Sequence, residues 1–269
     1  MRDKIILSFD VEDNFTIDEL VNPDDWNRYE SQVVKNTKRV VDSLQDINAE
    51  ATFFVVGKTA KRRPEVVKII DDAGFEVASH GYAHEPVDQM TEKEFEEDLQ
   101  KSIAVLEDIT GKKVKGYRAM AFSINRSTPW AFDVMKRNGL TYDSSLTDTE
   151  FAFLSKQKFF KSQIEGLHEI PVCNKKFFGR KWTVSGGVLL RLLPYALYRY
   201  ILEAYRDEKM CKIIYAHVWE FNQDQPERNV GIMQRLAQSP KTYTTQSKIK
   251  RLSSSYEFIS LDTYLKLNR

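Results

Sequence analysis

Residues 4–13 read Lys-Ile-Ile-Leu-Ser-Phe-Asp-Val-Glu-Asp, an apolar run that ends in three carboxylates within four positions. Such a run predicts a buried strand over Lys4–Phe9. The next fifty residues decide the fold class. Val33, Val34, Thr37, Val40, Val41, Leu44 and Ile47 recur at three- and four-residue spacing, the period of a helix, and Ala51–Val56 then returns to a strand. A second helix near Glu65–Asp72 leads through Gly74 into a strand over Phe75–Ser79. A third opens at Thr91, an N-cap with Glu94 three residues on, and runs to about Ile109 before Gly111 stops it.

Further outward the alternation continues. Val114–Arg118 reads as a strand, a helix follows Pro129, and Leu140–Asp143 is the next strand. From Thr147 to Phe178 the pattern is less regular, with Glu169–Val172 as its clear strand. A helix over Leu192–Lys209, a strand over Lys212–His217, a polar loop over Asn222–Asn229, a helix near Thr245–Leu252 and a strand over Tyr256–Ser260 complete the chain. Strands alternating with helices predict one α/β domain over 1–269. Its seven or eight β units are closed or nearly closed into a barrel, with functional residues at the C-terminal ends of the strands.

Composition narrows the function classes. At 42% hydrophobic, the 269 residues can bury a full core, and 40 basic against 39 acidic residues leave a net charge of +1. That balance lacks the basic footprint of a nucleic-acid binder. Cys173 and Cys211 have neither the spacing of a zinc ribbon nor that of a redox pair. The first apolar run is interrupted at Asp10, short of the roughly 7 to 15 residues of a secretory leader, so the expected compartment is the cytoplasm. The most apolar stretch, Val188–Leu202, contains Arg191, Pro194 and Arg199 and falls short of the ~20 clean residues of a membrane span. Its mixture of apolar, aromatic and basic side chains suits a core helix, or a peripheral contact at the inner membrane face.

The polar residues at strand ends carry the chemistry. Asp10, Glu12 and Asp13 are clustered carboxylates, which a fold tolerates best around a cation or with one held neutral; the alternative is a solvated loop or a helix cap. His80 and His84 stand four apart, a spacing that on a helical turn puts both imidazoles on one face, as two ligands of one metal require. A carboxylate from the first cluster would complete a three-ligand site open to water. Arg118, ending its own strand, could hold a carboxylate ionised or make an ordinary surface pair. His217, delivered by a buried strand, could act as a general acid or be a satisfied core histidine. In a βα barrel these four signals converge on one pocket.

The residues resemble the NodB-homology polysaccharide deacetylases, a carbohydrate esterase family with a distorted (β/α)7 barrel. The likeness lies in Ser8-Phe9-Asp10-Val11-Glu12-Asp13, in His80-Gly81-Tyr82-Ala83-His84, in Tyr117-Arg118-Ala119 and in Tyr215-Ala216-His217, in that order. It is nearest to the branch associated with exopolysaccharide biosynthesis. That likeness lies in Tyr142-Asp143-Ser144-Ser145, Glu169-Ile170-Pro171-Val172, Ser185-Gly186-Gly187, Arg191-Leu192-Leu193-Pro194-Tyr195 and His217-Val218-Trp219-Glu220-Phe221.

The resemblance implies that Asp10 is the general base, that His80 and His84 bind a divalent metal, that Arg118 orients Asp10 and that His217 is the general acid. The commonest motif has two adjacent aspartates, but position 11 is Val. Relatives with Asp-Val-Asp bind through the third residue, so Glu12 is the expected third ligand, with Asp13 in reserve. Met120 and Val218 stand where the family usually has proline. Two histidines and a carboxylate suit Zn, with Co, Ni or Mn also accepted. The implied activity is removal of an N-acetyl group from an acetamido sugar, nucleotide-, lipid- or oligosaccharide-linked. Tyr82, Phe122 and Trp219 are candidates to stack on sugar rings or to fill the core. The alternatives are a non-catalytic sugar-binding or assembly protein on the same barrel, and a metal-dependent amidohydrolase acting on a non-sugar C–N bond. His168, just before Glu169, is read as structural.

Overall fold

The computed structural model describes residues 2–16, 26, 28–156, 166–177, 180–204, 213–222 and 243–268. Cys211, the end of the expected helix at 205–209, Lys212 and the loop beyond Asn222 lie outside them. The strands are β1 (Asp3–Val11), β2 (Thr52–Val55), β3 (Glu76–Ser79), β4 (Gly116–Tyr117), β5 (Tyr142–Asp143), β6 (His168–Glu169), β7 (Asn174–Phe177), β8 (Arg180–Thr183), β9 (Ile213–His217) and β10 (Tyr256–Ile259). All except β7 and β8 form one parallel sheet in the order β10-β1-β2-β3-β4-β5-β6, with β9 also on β1. Ile6 pairs with both Ile213 and Ile259, and Ser8 with both Thr52 and Tyr215. β9 therefore takes one edge of β1, while β10 and β2 share the other.

The central strand is apolar on both faces because helices cover one side of the curled sheet and the barrel interior the other. Ile5, Leu7, Phe9 and Val11 pack into the helix layer. Ile6 joins Phe54, Ala78, Tyr142, Ile213, Tyr215 and Ile259 inside the barrel. Residues two apart on a strand face the same way, so Asp10 looks inward with Ile6. Phe9 stacks on Phe53 at 5.3 Å and meets Phe221 edge-on at 5.7 Å. Each fully buried phenylalanine contributes about 2 kcal/mol, and Phe221 ties the turn after β9 to β1.

The helices follow their predicted signals in the first half. The helix Glu92–Thr110 carries the Thr91/Glu94 capping box and ends at left-handed Gly111. The helix expected near Glu65–Asp72 is Pro64–Asp72, and a further helix with no counterpart in the sequence pattern, Gly57–Arg62, ends just before it because proline holds Arg63 out of the helical region. The predicted helix Leu192–Lys209 begins later than expected, and a separate helix precedes it. Gly187–Leu192 stops at extended Leu193, before Pro194, and Tyr195–Ala204 begins anew. Leu190, Tyr198 and Leu202 of this stretch are buried, while Leu192, Leu197 and Tyr200 are exposed. Among the described residues no helix is long and apolar enough to cross a membrane.

Three strands are shorter than their apolar runs. Val114–Arg118 and Leu140–Asp143 each pair over two residues, and Glu169–Val172 becomes His168–Glu169 with an isolated bridge at Val172. Apolar patterning reports burial, whereas the ladders soon give way to side-chain acceptors: Ala119 N–H donates to Ser145 Oγ at 2.8 Å, and Ser145 N–H to Asp143 Oδ2 at 3.2 Å. The sequence pattern also misses the antiparallel β7–β8 hairpin. Val184 N–H donates to Cys173 O, and Gly186 bridges Tyr215. These links lead from the β6 side back to β9, so the barrel is completed there by single contacts. His168 is exposed on β6.

Candidate active site

Asp10 and Glu12 arrive from the end of β1, His80 and His84 from beyond β3, Arg118 from beyond β4 and His217 from the end of β9. These are the C-terminal ends of parallel strands, as the barrel reading expects. The histidine spacing, however, does not come from a helical turn. The chain leaves β3 at Ser79 and turns through Gly81, and His84 itself takes a left-handed φ of 62°. Asp98 holds the turn by accepting from the N–H groups of Tyr82 and Ala83 at 2.7 and 2.8 Å.

Ligating atoms of Glu12, His80 and His84 lie within 4.8 Å of one another, all three side chains buried. Glu12 Oε2 is 2.7 Å from His84 Nε2 and accepts from Thr16 Oγ1 at 3.0 Å. His80 Nδ1 is 2.8 Å from the Arg118 carbonyl, an acceptor, so Nδ1 carries the proton and Nε2 keeps its lone pair. Burial lowers the His80 pKa against the opposing pull of Asp10, which favours the neutral ligand form. Burial works to raise Glu12, yet His84, His217 and His80 around it bring its carboxyl to about 2. Two imidazoles facing one carboxylate are a donor set suited to a divalent transition metal.

Asp13 takes no part in this cluster. Its carboxylate accepts from Ser31 Oγ at 2.6 Å and Gln32 N–H at 2.8 Å, in front of the helix Val33–Gln45. Unpaired N–H groups at a helix start attract such an anion, so Asp13 is a capping residue and Glu12 stands in the cluster in its place.

Asp10 faces the opposite partner. Its Oδ1 accepts from Arg118 Nη1 at 2.9 Å, and the guanidinium donates further to Ser144 Oγ and O at 3.1 and 3.3 Å. The cation lies 4.1 Å over the Phe54 ring, with Phe122 and Tyr215 at 5.6 and 5.7 Å. A buried arginine is tolerable only with its donors used, and here both charge and hydrogen bonds are met. Below it, burial and then the neighbouring Asp143 push the Glu169 carboxyl well above its ordinary value. Asp143 accepts from Ser145, and Leu146 N–H donates to Glu169; burial and the neighbouring acid favour the protonated form of Glu169.

His217 Nε2 lies 4.0 Å from Asp10 Oδ2 and 3.5 Å from Glu12 Oε1, while Nδ1 contacts Glu220 Oε1 at 2.8 Å. Burial lowers the His217 pKa, but Glu220, Glu12 and Asp10 outweigh it and the net shift is upward. Trp219, a candidate for sugar stacking, is 1% exposed. Its ring stacks on His217 at 5.1 Å beneath the Arg191 guanidinium, so it is core and offers no face to a sugar. Tyr82 is half-buried with its ring against Gly57. Phe122 is the candidate beside the site, 5.0 Å from Tyr215 and half-buried. Met120 and Val218, in place of prolines, each begin a short 3-10 turn, so both turns form without a ring.

Sequence reasoning gave no role to Ser144, Asp143, Glu169, Glu220 or Arg191. Glu220 had a usable signal, a carboxylate three residues beyond a histidine. Arg191 stands in a motif shared with the exopolysaccharide branch, but at 26 positions from His217 nothing in the sequence joins the two.

A family model described as polysaccharide deacetylase matches residues 3–142, and one described as a domain of unknown function, DUF3473, matches 148–266. A peptidoglycan deacetylase of Helicobacter pylori is 33% identical over 130 residues, 48% of this chain and 43% of that protein. A peptidoglycan-N-acetylglucosamine deacetylase of Bacillus cereus is 30% identical over 82 residues, 30% of each. The chain thus spans less than half the length of these relatives. Among solved structures, a protein of Mycobacterium smegmatis assigned as a polysaccharide deacetylase superposes with a TM-score of 0.68 at 21% identity, covering 98% of this chain and 88% of that one. BA3943 of Bacillus anthracis, described as a CE4 family pseudoenzyme, superposes with a TM-score of 0.56 at 14% identity over 97% and 65%.

Proposed function

Because the chain belongs to the polysaccharide deacetylase family, we propose that it hydrolyses the N-acetyl group of an acetamido sugar in surface polysaccharide or glycoconjugate synthesis, releasing acetate. One observation carries this reading: a base, an acid and a three-ligand cluster from three different strands share one mouth. The relatives named for acting on peptidoglycan support an acetylated amino sugar as the substrate class.

Glu12, His80 and His84 would hold a divalent ion, zinc foremost on donor chemistry, and that ion would supply a water of lowered pKa and polarise the acetamide carbonyl. Asp10 is oriented by Arg118 Nη1 at 2.9 Å and takes the attacking water's proton at its other oxygen, Oδ2. The new C–O bond forms at the acetyl carbon. His217, protonated, gives its Nε2 proton to the amide nitrogen, so that the C–N bond breaks to acetate and a free sugar amine. Arg118 acts through Asp10, and Phe122 lies where it can meet the sugar.

The test is acetate release from N-acetylated sugars, offered free, nucleotide-linked, lipid-linked and as oligosaccharides, by metal-loaded and chelator-stripped protein. Release that returns with metal supports the reading. Retained glycan binding without turnover assigns the chain to the non-catalytic class that BA3943 represents, and turnover confined to non-sugar amides assigns it to the other amidohydrolase reading.

A further inference from the structure

Behind His217, on the side away from Asp10, lies a second buried charge network. Glu220 Oε1 accepts from the His217 backbone N–H at 3.1 Å and contacts His217 Nδ1 at 2.8 Å. Arg191 Nη1 pairs with the same carboxylate at 2.9 Å, and Thr245 Oγ1 donates to Oε2 at 3.0 Å. Glu220 and Arg191 are 0% and 3% exposed. Buried charges are retained at a desolvation cost, so a buried ion pair set against a site histidine asks for a reason beyond stability.

The surrounding backbone is shaped to bring Arg191 there. Ser185 O accepts from Tyr215 N–H at 2.9 Å, drawing residues 185–187 onto β9. A Cβ at Gly186 would lie 1.9 Å from the Tyr215 carbonyl oxygen, and Gly187 has a φ of 57°. Those two glycines let the helix Gly187–Leu192 start directly against β9, one turn from Arg191. At its other end Lys248 Nζ donates to the carbonyls of Leu190 and Arg191 at 2.6 and 2.8 Å, fixing the helix terminus from the helix Tyr243–Leu252.

We infer that Glu220, clamped by Arg191 and Thr245, is a positioning residue for the deacetylation: it holds the proton of His217 on Nδ1 and turns Nε2 toward the substrate's leaving nitrogen. The inference rests on the proposed deacetylase reading. A carboxylate on Nδ1 fixes both the tautomer and the ring plane, while the Trp219 ring, 20° from parallel to the imidazole, keeps the ring from rotating. Every member of this device lies within residues 148–266, the stretch matched by the domain of unknown function. That stretch therefore supplies the acid half of the centre, and the part matched by the deacetylase model supplies the base and the ligand cluster.

The kinetic test compares two leaving groups. An amide nitrogen must be protonated to depart, whereas the phenolate of 4-nitrophenyl acetate departs without a proton. In metal-loaded Glu220→Gln, the ratio of N-acetyl-sugar turnover to aryl-ester turnover should fall ~10- to 100-fold, through kcat with KM unchanged. Glu220→Asp should recover part of it, and Arg191→Met should give a smaller loss of the same kind. An equal loss on both substrates would overturn the inference in favour of a merely structural role. Should Glu220→Gln fail to fold, nitrogen-15 imidazole spectra of the wild-type zinc form decide instead, with His217 assigned from its loss in His217→Asn. A proton on Nδ1 is expected, and a proton on Nε2 alone would overturn the inference. That reading does not depend on turnover, so a wild type that deacetylates nothing would end the proposed function and leave the positioning result standing or falling by itself.

Discussion

Glu12, His80 and His84 reach the mouth of the barrel from β1 and β3, strands paired along their length with β2 between them, and the capped helices Val33–Gln45 and Glu92–Thr110 pack behind. His217 reaches it from β9, which pairs along β1 and on its other edge makes, among the described residues, a single isolated bridge, at Gly186. The first region is placed by the sheet's own hydrogen bonds. The second needs Glu220, Arg191, Thr245 and Lys248 to do what ladder pairing does elsewhere. A ligand cluster tolerates little error in distance, and a continuous sheet gives that; a proton donor needs a defined tautomer and ring plane, and a carboxylate clamp gives that.

If the two regions do different jobs, their losses should separate. The largest expected effect is His84→Ala, which removes a ligand: bound metal measured by elemental analysis and acetate release should be lost together. Asp10→Asn and His217→Asn should each lower kcat by about 10² to 10⁴-fold, the range for a general base or acid, while metal content stays at the wild-type value. Arg118→Met leaves a buried carboxylate unpartnered and should cost about 3 to 5 kcal/mol by denaturant unfolding. Part of this loss should return in Asp10→Asn/Arg118→Met, where no such charge remains.

The smallest effect concerns the acid pair beneath Arg118. Glu169 keeps its proton in the fold above its ordinary value of 4.5, where the unfolded chain has lost its own. The fold then binds more protons than the unfolded state, so this group's contribution declines as pH rises through and beyond 4.5. Glu169→Gln keeps an acceptor for Leu146 N–H and a donor toward Asp143 without that titration. Its stability relative to wild type should therefore rise with pH from about 5 to 8, and a difference independent of pH would contradict a neutral Glu169.

Much of the first region is legible in the sequence, because burial, period and capping are local signals. The apolar run over 4–9, the Thr91/Glu94 box and Gly111 each state their structure within a few residues. The spacing of His80 and His84 identifies the pair even though a loop, held by Asp98 from another element, presents it in place of a helical turn. Asp13 shows the limit: three carboxylates in four positions look alike until Ser31 and the start of a helix take one of them. In the second region the decisive contacts join positions far apart, Arg191 to Glu220 and Lys248 to Leu190, and no periodicity announces them. Trp219 is hidden for the same reason, since an aromatic two residues past His217 gives no sign of which face the fold covers.

Metal content and acetate release of Asp10→Asn beside the wild type, on one N-acetylated amino sugar that the wild type turns over, test the central claim most directly. Equal metal in both proteins, acetate and free amine in equal amounts from the wild type, and near-total loss of both products in the variant are expected. Turnover by Asp10→Asn at the wild-type rate, or release that persists after the metal is stripped from the wild type, would contradict it.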